Sequence, residues 1–98
     1  MTNSILTPAS ANIFEDLGFS PEESENLLIR ADLMLSIRRR IEDQNWTIEQ
    51  AAIKYQTSSD RIEALLNGKI NDFTIEQLIA LLHRSGMKIK FEVIPATA

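Results

Sequence analysis

The stretch between Trp46 and Gly68 constrains the fold more than any other part of this 98-residue chain. Thr47 followed by Gln50 forms a capping box, which predicts the start of a helix. Ser58 is a good N-cap for a second helix, and Gly68 suits the left-handed position just past its end. Two short helices joined by a tight turn predict a helix-turn-helix, whose second helix can enter the major groove of DNA.

Helix signals flank this stretch on both sides. Ser20-Pro21, followed by Glu23, predicts a helix that starts there and continues to about Asp43. Thr74, followed three residues later by a glutamine, predicts a last helix with its own capping box. The expected architecture is a mainly α-helical domain of about five helices. Its expected divisions are an N-terminal tail with a short helical segment (1–19), the helix-turn-helix domain (20–86) and a C-terminal β-strand (87–98).

Apolar and polar side chains alternate after Gly86, which predicts a half-buried β-strand. No second strand is recognisable in the sequence, so the backbone groups of this strand need another partner. We therefore expect it to pair antiparallel with the same strand of a second subunit. The alternatives are a tail packed on its own domain and a helical interface around Ile75–Leu82. The dimerisation residues predicted in this way are Met87, Ile89, Phe91 and Val93.

The composition is typical of a globular protein and favours a cytoplasmic location. Apolar residues make up 44% and charged residues 24% of the sequence, and there is no cysteine for a disulfide. No apolar run approaches the roughly 20 residues that span a bilayer. The N-terminus also lacks the basic and apolar regions of a secretory signal. We therefore expect no membrane partner.

The net charge of −4 is unevenly distributed. Residues 1–26 contain five acidic side chains and no Lys or Arg, whereas the rest of the chain is nearly neutral. This balance excludes a strongly basic nucleic-acid coat protein, so DNA binding must rely on a few well-placed contacts. The acids, together with Ile13, Phe14, Leu17 and Phe19, suit docking on a basic protein. The alternative is that these apolar side chains pack on the chain's own long helix.

Candidate catalytic residues are scarce. His83 is the single histidine, no cysteine can assist it, and the sequence has neither a metal-ligand spacing nor a Gly-rich phosphate loop. We therefore expect no enzymatic activity, no metal and no cofactor.

The helix-turn-helix stretch and the sequence around it resemble a known family. The similarity is carried by Asn12–Phe19, by Trp46-Thr47 with Ala51-Ala52, and by Ser58–Ile62 with Leu65–Lys69 and Phe73. On these residues the chain resembles the Xre/Cro-type helix-turn-helix family, in particular its HigA-like antitoxin branch. The resemblance implies a lambda-repressor-like fold and a homodimer that binds a double-stranded DNA operator. It also implies autoregulation and a cognate toxin, often an mRNA-cleaving one.

Side chains at the start of the second helix are best placed to meet base edges. Arg61 is the leading candidate, because arginine can bind guanine with two hydrogen bonds; its alternative role is a surface ion pair with Asp60 or Glu63. Ser58 is either a phosphate contact or only a helix cap, and Trp46 is more typical of a core anchor than of a base-stacking platform. The predicted DNA-binding residues are Thr47, Ser58, Ser59, Asp60, Arg61, Ala64, Asn67, Lys69, Arg39 and Arg40.

Several positions differ from the usual pattern of the family, including Ser59, where relatives often have Gln. Ile48 stands where relatives carry Gln, Gln56 where Gly is common, and Asp60 where Pro is frequent. Acidic residues on the second helix weaken its attraction to phosphate, so two function classes follow. The first is a DNA-binding transcriptional regulator, either an autoregulating antitoxin or an orphan regulator. The second is a protein-binding module on a helix-turn-helix scaffold.

Overall fold

The computed structural model describes residues 14–95. Ile13, most of the predicted N-terminal segment (1–19) and the last three residues of the predicted strand segment lie outside the described residues. Within this range, residues 14–16 are helical and a turn at 17–18 leads into the main domain. Four α-helices and one 3-10 turn follow, and none of these helices has the length and hydropathy needed to cross a membrane. They are α1 (Pro21–Gln44), α2 (Ile48–Lys54), α3 (Ser59–Leu66), the 3-10 turn (Ile70–Asp72) and α4 (Ile75–Arg84).

Side-chain caps fix where the helices begin. At α1, Glu23 N donates to Ser20 Oγ at 3.1 Å while Ser20 N donates to Glu23 Oε1 at 3.0 Å. Thr47 and Thr74 form the same reciprocal pair with the glutamine three residues on, at the starts of α2 and α4. Each box satisfies backbone N–H groups that a helix start leaves unpaired. The helical part of the expected architecture is therefore consistent with the structure.

The core lies where the four helices meet. α4 packs mainly on α1, and α2 packs mainly on α3. Ile37, Tyr55 and Leu78 are all 0% exposed and belong to one buried cluster. Burial raises the pKa of the Tyr55 phenol above 10.0, while the Ser85 hydroxyl and the Arg40 guanidinium lower it by less. The phenol therefore stays neutral around pH 7 and behaves as part of the apolar core.

The predicted C-terminal β-strand is wrong, because residues 87–95 contain neither a strand nor a bridge. A strand needs a neighbouring strand to pair its backbone N–H and C=O groups, and the described part of the chain offers none. Met87 N instead donates to Leu82 O at 3.0 Å, which closes the end of α4. Ile89 then packs against the core. The alternating pattern thus marks one anchored side chain followed by an exposed, irregular segment.

The turn between α2 and α3 has an unusual backbone. Gln56, at the position where the family often has glycine, has a left-handed φ of 52°, which side-chain-bearing residues seldom adopt. Arg84 Nη1 donates to the carbonyl oxygens of Tyr55 at 3.1 Å and Gln56 at 3.4 Å. A cation here also complements the negative end of the α2 dipole. Arg84 of α4 therefore stabilises the turn that Gln56 strains.

Candidate nucleic-acid interface

Helix α3 turns one side to the core and the opposite side to solvent. Ile62 and Leu65 are 1% and 3% exposed, whereas Asp60, Glu63 and Asn67 are exposed. Spacings of three and four residues place Asp60, Glu63 and Asn67 in one line along the helix, here called the outer row. Because recognition helices contact base edges with their N-terminal residues, the outer row is the candidate reading surface.

The other residues predicted on α3 differ in their positions. Ser58 Oγ accepts a hydrogen bond from Arg61 N at 3.2 Å and so caps the helix. Ser59 is half-buried beside the outer row, and Lys69 is exposed just beyond the helix end. Ala64 packs partly against the core. The structure thus brings Ser59, Asp60, Asn67 and Lys69 together along α3 and turns Ala64 inward.

The start of α2 offers two exposed polar side chains. Thr47 and Gln50 cap this end reciprocally, with Gln50 N donating to Thr47 Oγ1 at 3.1 Å. Ile48, where the resemblance leads one to expect a polar glutamine, packs against the core instead. In helix-turn-helix complexes the first helix of the motif crosses the DNA backbone. Thr47 and Gln50 are therefore the phosphate candidates on α2, and Gln50 was not among the residues predicted from sequence.

Arg61 is engaged within the protein. Its Nη1 donates to Asp72 O at 2.8 Å and its Nη2 donates to Gln77 Oε1 at 3.2 Å. Its Cζ lies 4.1 Å from the centroid of the Phe73 ring, a cation–π contact. The expected alternative, an ion pair with an acid of α3, does not form in residues 14–95. The geometry gives Arg61 a role that sequence reasoning missed, which is to hold α3 against the 3-10 turn and the start of α4.

The three consecutive arginines of α1, Arg38 to Arg40, have side chains in three different environments. Arg38 pairs with Glu42 at 3.0 Å. Arg40 is half-buried, with its guanidinium carbon 5.8 Å from the centroid of the Trp46 ring. Arg39 is exposed, and the 100° step of the helix puts it opposite the buried residues Ile37 and Ile41. Arg39 therefore points away from the side of α1 on which α3 packs.

The motif carries no net positive charge. Between residues 47 and 69 three acidic side chains (Glu49, Asp60 and Glu63) balance three basic ones (Lys54, Arg61 and Lys69). The Lys54 ammonium lies 5.6 Å from the centroid of the Trp46 ring, and Arg61 is held by Asp72, Phe73 and Gln77. Lys69, at the end of α3, is thus the exposed cation of the motif whose side chain forms no hydrogen bond, ion pair or cation–π contact within residues 14–95.

A second arginine that sequence reasoning missed supports the 3-10 turn. Arg30 Nη1, on α1, donates to the carbonyl oxygens of Ile70 at 3.0 Å and Phe73 at 3.4 Å. Arg30 and Arg61 therefore hold the same turn from two sides. Both arginines bind backbone oxygens far along the chain, so no local sequence pattern could have indicated these contacts.

The predicted dimerisation residues do not share one environment. Ile89 packs on its own domain, whereas Met87, Phe91 and Val93 are 38%, 82% and 86% exposed. The helical interface considered around Ile75–Leu82 is largely occupied, because Leu78 and Leu82 are 0% and 4% exposed. The exposed apolar side chains near the C-terminus are therefore Met87, Phe91, Val93 and Ile94.

Comparison with known proteins identifies the domain. A family model described as a helix-turn-helix domain matches residues 13–94, which is most of the chain. No curated protein and no solved structure gave a significant match. The matched range contains α2, the strained turn at Gln56 and the outer row of α3. The chain belongs to this helix-turn-helix domain family, and a domain of this kind indicates a DNA-binding regulator.

Proposed function

We propose that this protein is a sequence-specific transcriptional regulator that binds double-stranded operator DNA through the outer side of α3. The observation that carries the proposal is the outer row itself. Asp60, Glu63 and Asn67 are exposed, and their side chains make no hydrogen bond or ion pair with another residue in the range 14–95. Exposed side chains that no hydrogen bond or ion pair holds, aligned on the second helix of the motif, are free to meet base edges.

The regulator acts as a homodimer in this proposal. Phe91 and Val93, with Ile94 at 69% exposed, form an apolar segment that contact with a second copy would cover. The contact requires burial of these side chains and no β-pairing. Two copies related by a two-fold axis read two half-sites, about one helical turn of DNA apart.

The first prediction concerns the operator. The protein should bind DNA from upstream of its own gene more tightly than a random duplex of equal length. Lys69→Ala should weaken binding to both duplexes alike and reduce the log–log salt slope by about 1, because Lys69 contacts phosphate and reads no base. A salt-titrated binding assay measures both effects.

Arg39→Ala is the matched control, since it removes one exposed cation from the side of α1 that faces away from α3. It should leave affinity and salt slope unchanged. Equal affinity for the upstream DNA and the random duplex would contradict sequence-specific regulation. That result would favour the second candidate, a protein-binding module, which the acidic outer row of α3 would suit.

We further propose that the regulator is an autoregulating antitoxin. The resemblance to the HigA-like branch supports this role, and so does the surface of residues 14–25. Leu17 and Phe19 are 69% and 42% exposed there, and Phe19 stacks edge-on against Phe14 at 6.3 Å. All five acids of this surface are exposed without a basic neighbour in sequence. A ribonuclease-type toxin presents a basic surface to its RNA, which such an acidic, partly apolar surface complements.

The second prediction tests the antitoxin role. An adjacent open reading frame, expressed alone, should arrest growth, and co-expression of this protein should restore it. Leu17→Lys should abolish the rescue while preserving operator binding, because it places a charge within the apolar contact. Ile53→Lys is the control, since Ile53 on α2 is similarly exposed at 77%. If the Leu17 variant rescues growth as well as the control, residues 14–25 lie outside the toxin interface. If no adjacent gene is toxic, the protein is an orphan regulator.

A further inference from the structure

The chemistry of the outer row is unusual for a surface that meets DNA. Asp60 and Glu63 are carboxylates, which accept hydrogen bonds and donate none when ionised. Within residues 14–95 neither is paired with a Lys, Arg or His, because the ion pair found there joins Arg38 and Glu42. The N-terminal half of the reading surface is therefore built from acceptors alone.

Arg61 is the arginine of α3 that could have added hydrogen-bond donors to this surface, but other contacts hold it. Arg61 donates hydrogen bonds to Asp72 O at 2.8 Å and to Gln77 Oε1 at 3.2 Å. Its Cζ lies over the Phe73 ring, 4.1 Å from the ring centroid. Arginine bound in two hydrogen bonds to guanine is the commonest specific contact in the major groove. While Arg61 is held by these contacts, α3 does not present a guanidinium to guanine, and the outer row meets other bases.

The major groove offers few donors to a carboxylate. Cytosine presents its N4 amino group, whereas guanine presents two acceptors and thymine presents an acceptor and a methyl group. Adenine has a donor at N6 but an acceptor at N7 beside it, which repels a carboxylate. A carboxylate that reaches a base edge therefore selects cytosine over the other three bases.

We propose that Glu63, assisted by Asp60, is the specificity-determining residue of this protein and selects cytosine within each operator half-site. The inference rests on the proposed DNA-binding function and names the base that its reading surface recognises. Glu63 lies centrally in the outer row and has the longer of the two carboxylate side chains. Asp60, one turn nearer the start of α3, contacts the neighbouring base pair.

The test is selection of bound sequences from a random duplex library by the full-length protein. The wild type should enrich cytosine at one fixed position of each half-site by about tenfold over the other bases. Glu63→Gln should move the preference at that position to adenine, because glutamine binds adenine N6 and N7 with two hydrogen bonds. Both proteins should show the same thermal unfolding, since Glu63 is exposed.

Glu49→Gln is the matched control, because Glu49 is an exposed acid on α2 and the substitution removes the same unit of charge. Both variants should bind a random duplex somewhat more tightly, because each has lost one negative charge, and the control should keep the cytosine preference. An enriched site without cytosine, or one that Glu63→Gln leaves unchanged, overturns the role of Glu63 while the regulatory function stands. If the wild type enriches no sequence at all, the proposed function itself is overturned, and the acidic row is left as a surface for a basic protein.

Discussion

Replacement of Leu78 by alanine should cost about 3 kcal/mol of unfolding free energy, the largest effect expected of any single substitution considered. Leu78 is 0% exposed on α4, in the same buried cluster as Ile37 of α1 and Tyr55 of α2. The substitution removes apolar burial and leaves a cavity where three helices meet, and such a site collapses poorly. In a domain of this size the melting temperature should fall by about 15 °C. Thermal and urea unfolding, followed by circular dichroism, measure both quantities.

Ile79→Ala provides the control on the same helix. The residues differ by one position, but Ile79 is 36% exposed, so the same chemical truncation should cost less than about 1 kcal/mol. Comparable losses at the two positions would contradict the packing of α4 described above.

Replacement of Arg61 by alanine should cost about 2 kcal/mol of stability and leave the base preference unchanged. The substitution removes two charge-assisted hydrogen bonds, to Asp72 O and Gln77 Oε1, and the stack on Phe73. Hydrogen bonds to charged groups contribute about 1.5–3 kcal/mol, and an exposed cation–π contact contributes about 0.5–1 kcal/mol. The guanidinium is partly exposed, so solvent screens these contacts and the expected cost lies well below the sum of their separate contributions. Denaturant unfolding and library selection on the same variant separate stability from specificity.

Two variants bracket this result. Arg61→Lys keeps the cation over Phe73 but loses the planar fork, so its stability should lie between wild type and alanine. Arg39→Ala should change stability by less than about 0.5 kcal/mol, because Arg39 is exposed and its side chain makes no hydrogen bond or ion pair in the described range. An Arg61→Ala protein of wild-type stability that has lost its base preference would instead establish Arg61 as a base reader.

Local sequence signals predicted the helices well, because each signal depends on only a few neighbouring residues. The capping pairs Ser20–Glu23 and Thr47–Gln50 form in the structure as the sequence indicated. Gly68 likewise takes the left-handed φ, at 73°, that its place past α3 predicted. These features depend on neighbours three or four residues away, so they can be read before the fold is known.

Features that depend on distant partners could not be read in this way. The guanidinium of Arg61 is positioned by backbone and side chains eleven and sixteen residues away, and a pattern search sees only an arginine at the start of a helix. The prediction of a C-terminal strand was wrong for a related reason. Alternation of apolar and polar residues predicts a strand only when another strand pairs with it. The short 3-10 turn at 70–72, held by Arg30 and Arg61, also left no local signature.

On α3, the side chains that hold the helix in place are different from those of the exposed outer row. This separation has a consequence for how the protein can change over evolutionary time. Ile62 and Leu65 hold the helix to the core and Arg61 holds it to the 3-10 turn, so the fold depends on one set of side chains. Asp60, Glu63 and Asn67 form a separate, exposed set whose side chains make none of these contacts. Under the proposed function, mutations in the second set retarget the protein to new binding sites at little cost to folding, and paralogues with diverged targets can share one unchanged scaffold.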